Sequence, residues 1–519
     1  MTIDLTVPVQ ISALWPLRMV CASERAVAVA PVRAGRVRLP WSVVRAALRE
    51  TGRAGARRGT RSGGARGMGV RPSHPLGPVL SVLVSVMLMT LSLVGGAQAQ
   101  STQSRIVRVV SAGGIEAWLV RDTTLPLVAM EFAFRGGAAQ DPADRPGVAS
   151  LTAALLDEGA GEMNAEAFHS ALADKAIEIS FSASRDDMRG SVRTLSQNRS
   201  AAFDLLRLAL TRPRFDTEAV ERIRAAQLAG LRRRSTDPNA LAGEHWFARA
   251  FPNHPYGRPV DGTLQSVPAI TRADLQAFTR RTLARSNLNI AVVGDISAQD
   301  LAQELDAVFG DLPSQADLVT IADVTPQGLG TVEVVPLDVP QSVVLMGTTG
   351  LRRNDPDFIP AFVLNHILGG SAFSSRLFKD VREARGLAYS VYSYQVALDH
   401  TGLWFAGTAT KNERAAQSIA LISTHFATLL DEGPSAQELA EAKSYLTGSY
   451  ALRFDTSGKV AGQLLQIQID QLGIDYIDRR NTMIEAVELK DLQRVAKRLT
   501  EARNALTVVV GRPAGLPGG

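Results

Sequence analysis

The chain has 519 residues, 45% hydrophobic and 6% aromatic, with 56 Lys and Arg against 51 Asp and Glu and a single cysteine. These figures exclude a disulfide-stapled mini-protein, a collagen-like chain and a polytopic membrane protein, and the length allows two to four domains with sizeable cores. The net charge of +5 is uneven: residues 1–99 hold 13 Arg, no Lys and three acids (Asp4, Glu24, Glu50), a surplus of +10, so residues 100–519 carry −5 and leave no basic footprint for nucleic acid.

Residues 1–67 are rich in Arg, Gly and Ala and show no periodicity. The plainer reading is a start assigned upstream of Met68; the other is an Arg-rich transit peptide. Residues 68–99 read as a signal peptide. Arg71 precedes the apolar run Val79–Val94, and Ala97-Gln98-Ala99 supplies a small-residue cleavage site. Cleavage after Ala99 predicts a periplasmic or secreted protein, whereas an uncleaved Val79–Val94 would anchor it in a membrane. Cys21 lies in the leader, so the body can form no disulfide, cysteine-based zinc site or thiol nucleophile. A cysteine-free body suits an oxidising compartment.

In the body, Leu127–Phe134 and Ile177–Ser184 alternate with period two, as half-buried strands do. Thr217–Arg234 and Ser435–Tyr450 have helical spacing with charged faces. Asp274-Leu275-Gln276 opens a helical stretch that runs into the strand-like Asn289–Val293 and then Gly294. Asp491-Leu492-Gln493 opens a second stretch that ends in Leu506–Val510 and Gly511, and the offset between the two is the same at every matched position. Val109-Val110 is matched with Val334-Val335, and Asp141-Pro142 with Asp355-Pro356. A repeat this long is a duplicated domain, since solenoid units are far shorter. The expected organisation is a first domain over 104–312, a polar linker over 313–328, a second domain over 329–512 and a tail over 513–519. Helices grouped between antiparallel strands predict an α+β fold of two homologous domains, each a mixed sheet plus helices.

No Gly-rich phosphate loop follows a strand, and no G-x-S-x-G elbow is present. The body's six histidines are His169, His245, His254, His366, His400 and His425. No two of them lie at i, i+3 or i, i+4, which predicts structural or surface roles. His366 reads as a hydrogen-bonded core histidine. Asp157 and Glu158 read as a solvated helix end, the alternative being contact with a partner.

Three segments carry a resemblance: FRGGAAQDPADRPGVASLTAALLDEGA (Phe134–Ala160), FPNHPYGRPVDG (Phe251–Gly262) and LGGSAFSSRLFKDVREARGLAY (Leu368–Tyr389). In this order they resemble insulinase/pitrilysin-type peptidases, which include mitochondrial processing peptidase, and the resemblance covers residues 105–512. The family builds its zinc site from an inverted H-x-x-E-H motif and a Glu on a later helix. Three protein ligands leave a position open for water. Aligned on Gly147, the first His position falls at Ser150, the base Glu at Ala153, the second His at Ala154 and the third ligand near Gly230. None of these can do the family's work. The resemblance therefore implies no zinc in this chain.

The second-domain signature, by contrast, is preserved. In the family an Arg and a Tyr at the positions of Arg382 and Tyr389 reach a zinc site and hydrogen-bond the substrate carbonyl. Gly369, Gly370, Ser371 and Phe373 would be candidate substrate contacts on a flexible, Gly-bearing loop. The resemblance implies the zinc-less, substrate-binding subunit of a heterodimeric peptidase. It would close as a clamshell on a homologous zinc-bearing partner and act on peptides. The alternative is a structural or assembly protein of the same fold with no peptidase role.

Overall fold

The computed structural model describes residues 106–371, 373–499 and 504–516. The leader and signal segment predicted for residues 1–99 lie outside the described residues, as do 517–519 of the tail.

The first half builds a six-stranded sheet from β1 (Val107–Val110), β2 (Glu116–Arg121), β3 (Leu127–Arg135), β4 (Glu178–Ala183), β5 (Asp187–Leu195) and β6 (Leu288–Gly294), in the order β1-β2-β6-β3-β5-β4. The second half builds a five-stranded sheet from β7 (Val332–Pro336), β8 (Gln341–Thr349), β9 (Ala388–Leu398), β10 (Thr401–Lys411) and β11 (Leu506–Gly511), in the order β9-β10-β8-β11-β7. In each sheet one pair is parallel, β2 with β6 and β7 with β11, and the other pairs are antiparallel. The fold is α+β, with two homologous domains of mixed sheet plus helices.

The first-half helices, apart from the single turn Ser266–Ala269, are α1 (Val148–Ala153), α2 (Ala165–Ala173), α3 (Arg199–Thr211), α4 (Thr217–Arg234), α5 (Pro238–Ala250), α6 (Arg272–Thr282) and α7 (Ala298–Phe309). The second half adds α8 (Phe358–Asn365), α9 (Ala415–Glu432), α10 (Ala436–Gly448), α11 (Ser457–Ile469), α12 (Tyr476–Glu485) and α13 (Leu489–Arg498). The duplication is visible in their caps. Asp274 closes a capping box at the start of α6 and Asp491 closes one at the start of α13, and the strands that follow end at Gly294 (φ 141°) and Gly511 (φ 147°). Both glycines hold a positive φ that a side chain would strain.

Strand pairing fixes the other equivalences and corrects one of them. Leu119 pairs with Val292 and Val334 with Val509, so the counterpart of Val334 is Leu119 on β2. The match of Val109-Val110 to Val334-Val335 is therefore wrong: β1 is an additional edge strand, antiparallel to β2, and shares only β-branched composition with β7. The match of Asp141 to Asp355 agrees with the register. Ala129 on β3 and Val343 on β8 hold equivalent pairings, and Asp141 lies as far beyond Ala129 as Asp355 lies beyond Val343.

β3 is buried on both faces, not on one as its alternation implies. Val128, Met130, Phe132 and Phe134 enter the first core. On the opposite face, Ala133, Ala291 and Val293 lie under Ala461, Leu464 and Leu465 of α11, a helix of the second half. The exchange is reciprocal: α5 of the first half lays Ala242, Trp246 and Ala250 on Val343, Leu345, Phe405 and Val508 of the second sheet. Small residues let each helix approach closely. A Cβ on Gly347 would sit 2.4 Å from the Trp246 ring, whose Nε1 donates to Leu506 O at 3.0 Å. Residues 313–328 contain no helix or strand and are tied to both halves, through Gln140 to Val319 and through His400 O to Val324 N.

Candidate functional site

The segment that would carry the zinc motif starts at Gly147, whose φ of 102° lets the chain turn into α1. The Asp141 carboxylate accepts from Gly147 N at 2.7 Å and Ala149 N at 2.9 Å, fixing that turn. Burial pushes the Asp141 carboxyl up to about 7 in spite of these bonds. Ser150 follows, and its hydroxyl donates to Asp261 Oδ1 at 2.8 Å. The other Asp261 oxygen takes Arg234 Nη1 at 2.6 Å, and Arg234 also pairs with Glu244 at 3.1 Å. Gln227, one turn before Gly230 on α4, donates to Asp261 O at 2.8 Å. Ala153 is buried and Ala154 packs against the first core.

The residues present do not fit a zinc ion. Two methyl groups and a glycine supply no ligand atom, and the lone hydroxyl is already spent on a carboxylate. That carboxylate is in turn neutralised by a guanidinium. Among the described residues no group of three or more His, Asp or Glu side chains is placed to hold a metal ion. Sequence reasoning singled out the lost ligands and missed what fills their place. Asp261 lies in FPNHPYGRPVDG and Arg234 in the basic end of α4, but nothing local says that they meet.

Glu158 corrects a second expectation. Its side chain is fully buried, not solvated, with Arg222 Nη2 of α4 at 2.6 Å and His169 Nε2 at 3.7 Å. The chain beyond α1 folds inward at the buried Leu155 and Leu156, carrying the carboxylate beneath α4.

The other histidines have local partners. His245 pairs with Glu333 at 2.8 Å, His400 with Asp323 at 3.2 Å and His425 with Asp380 at 2.9 Å, while His254 Nε2 lies 2.9 Å from Ala322 O. His366 is buried, and its ring stacks on Tyr445 with centroids 5.0 Å apart. Burial pushes its imidazole down to about 4, so it is neutral at physiological pH.

The second-half signature is arranged differently. Arg382 sits on a π-helical turn, Phe378–Ala384. Its guanidinium carbon lies 4.7 Å over the Phe378 ring and 4.8 Å over the Tyr389 ring. Phe373 packs edge-on against Phe378 at 5.3 Å. Phe373 is 64% exposed and Tyr389 78% exposed, whereas Arg382 is half-buried and Phe378 is buried beneath it. A cation held between two aromatic faces keeps its in-plane N–H donors for a ligand.

Phe373, Arg382 and Tyr389 are thus brought together through Phe378, a residue that sequence reasoning passed over. Gly370 is exposed beside them, whereas Gly369 and Ser371 are buried. A Cβ on Gly369 would lie 2.6 Å from Ser393 N of β9, so this glycine serves close packing. The Ser371 hydroxyl is bonded to that of Ser374 at 2.7 Å.

Comparison with known proteins identifies the family. Residues 118–264 match the family described as Insulinase (Peptidase family M16), and residues 269–446 match the Peptidase M16 inactive domain. The chain is 26% identical to the Non-peptidase homolog YmxG of Helicobacter pylori over 387 residues, 74% of this chain and 89% of that one. It is 24% identical over 344 residues to the Mitochondrial-processing peptidase subunit beta of Blastocladiella emersonii, covering 64% of this chain and 73% of that one. A crystal structure described as a peptidase M16 inactive domain from Pseudomonas fluorescens superposes with a TM-score of 0.74 at 28% identity, covering 79% of this chain and 98% of that one. The chain is a member of the insulinase-type peptidase family M16, of the kind in which the family's zinc ligands are absent.

Proposed function

We propose that this chain is the non-catalytic, substrate-binding subunit of a two-chain zinc peptidase. In this reading a homologous partner bears the H-x-x-E-H motif and the zinc, and the two close as a clamshell around peptide substrates. The chain works outside the cytoplasm after removal of its signal peptide. The observation that carries the proposal is the contrast within one molecule. The positions matched to the zinc ligands hold Ser150, Ala154 and Gly230 and the base position holds Ala153, while Tyr389 is exposed and the half-buried Arg382 lays its guanidinium over the Tyr389 ring.

The chemistry of that pair suits acyl transfer. A guanidinium and a phenol donate hydrogen bonds to a substrate carbonyl oxygen, and those bonds strengthen as negative charge develops on it. Holding Arg382 between two rings fixes the donors before substrate arrives, which removes reorganisation from the reaction step. Gly370 and Phe373, beside the pair, would contact the extended peptide.

The test is co-expression of residues 100–519 with a homologue that carries H-x-x-E-H. Stable association, with cleavage of an unfolded peptide only in the complex, is the expected result. A complex that cleaves equally well with R382A would overturn the shared-site reading, and association without any cleavage would point instead to an assembly protein of the same fold.

A further inference from the structure

The Arg382 side chain makes no hydrogen bond or ion pair among the described residues; ring faces alone hold its guanidinium. Its direction is therefore set by the turn that carries it. That turn is π-helical, a rare conformation that is frequent at functional sites. Something must hold it in place.

Two anchors do so. Ahead of the turn, Arg376 grips Glu438 with paired bonds of 2.6 and 2.8 Å and reaches Gly433 O at 3.1 Å. Glu438 is the residue that closes the capping box of α10, so this anchor is the helix end itself. Its bond to Arg376 holds the Glu438 carboxyl down at about 2. Within the turn, Asp380 accepts Nε2 of His425 from α9 on one oxygen and Nε of Arg385 on the other, each at 2.9 Å. Burial acts to raise the Asp380 carboxyl, but the bonds from His425 and Arg385 outweigh it and keep the group below the usual carboxylate range. The turn closes with Gly386 N on Arg382 O at 3.0 Å, and Thr410 of β10 ties down Leu387 O at 2.6 Å.

We infer that His425 and Asp380 are a positioning pair for Arg382, with Arg376 and Glu438 as a second anchor, so that the aim of the guanidinium is set from α9 and α10. This rests on the function proposed above and deepens it. His425 touches neither substrate nor Arg382; it acts through Asp380 and the turn. Its side chain is 20% exposed, and H425Q keeps most of its bulk while H425L removes the donor.

The test compares H425L, which removes the donor, with H425Q, whose amide N–H can replace it, and uses D380N as an independent break. In the isolated chain of residues 100–519, amide exchange across 378–387 should quicken about tenfold in H425L and D380N, with α9 and α10 unchanged. H425Q should restore it. In the paired enzyme, H425L should lower kcat about tenfold at unchanged KM, with H425Q near wild type. Exchange that does not change in H425L and D380N would overturn the inference. So would faster exchange with kcat untouched. R382A separates the two claims: if it leaves cleavage intact, the subunit reading falls, while the exchange data still decide whether His425 and Asp380 hold the turn.

Discussion

The two halves of the molecule use one fold for opposite ends. Around α1 in the first half the polar groups turn on each other, with Ser150 on Asp261, Asp261 on Arg234 and Arg234 on Glu244. Such a network ties α1, α4, α5 and the Asp261 loop together and offers no ligand for a metal. In the second half half-buried polar groups hold a turn, with Phe373 and Tyr389 exposed and Arg382 half-buried over the Tyr389 ring. Sheet order, caps and the closing glycines are shared between the halves, so the two halves differ chiefly in a few side chains set on a repeated frame.

That contrast can be broken most sharply at Arg382. In the paired enzyme R382A should reduce kcat by about 10²–10³-fold, the size expected for removing a donor to a developing oxyanion. Steady-state kinetics on an unfolded peptide substrate would read the loss. The isolated R382A chain should melt as the wild type does.

The equivalence of the halves has its own test in the exchanged helices. Trp246 of α5 and Leu465 of α11 hold matching places, each buried against the sheet of the opposite half. Trp246→Ala should destabilise by about 3–5 kcal/mol and Leu465→Ala by about 2–5 kcal/mol, measured by denaturant unfolding. Loss of cooperativity in both would mean that the exchanged helices weld the halves into one folding unit.

A smaller effect is expected at the filled zinc region. Asp261→Ala strands Ser150 and Arg234 together and should lose about 1–3 kcal/mol of stability. It should not create zinc binding, which metal analysis of the purified variant would show.

The smallest effect sharpens the comparison through pH. Glu131 of β3 occupies the place that Leu345 holds on β8, and burial raises its carboxyl to about 7. The folded state then holds this proton more tightly than the unfolded chain does. Stability from this group is therefore greatest in mild acid and is lost as pH rises toward 7. Glu131→Gln should flatten the slope of melting temperature against pH between about 5 and 7. An unchanged slope would place the titration elsewhere.

Much of the architecture was legible in the chain because the signals are local and periodic. Thr217–Arg234 forms the predicted helix residue for residue, and Ser435 with Glu438 caps the helix read from that point. Repeated capping acids and terminal glycines gave away the duplication. The burial of both faces of β3 was not legible, since the covering helix comes from the other half of the chain. For the same reason Val109-Val110 was paired with the wrong strand: two valines carry no information about register. At the site, the residues at the positions matched to the zinc ligands could be read one by one. The Ser150–Asp261–Arg234 network and the His425–Asp380 anchor could not, because each joins residues from different elements with no shared motif.

The most direct test of the central claim is the zinc content of the purified chain, residues 100–519, measured alongside peptide cleavage in the same preparation. The account predicts neither stoichiometric zinc nor cleavage. One equivalent of zinc, removed by a chelator together with a peptidase activity, would contradict it.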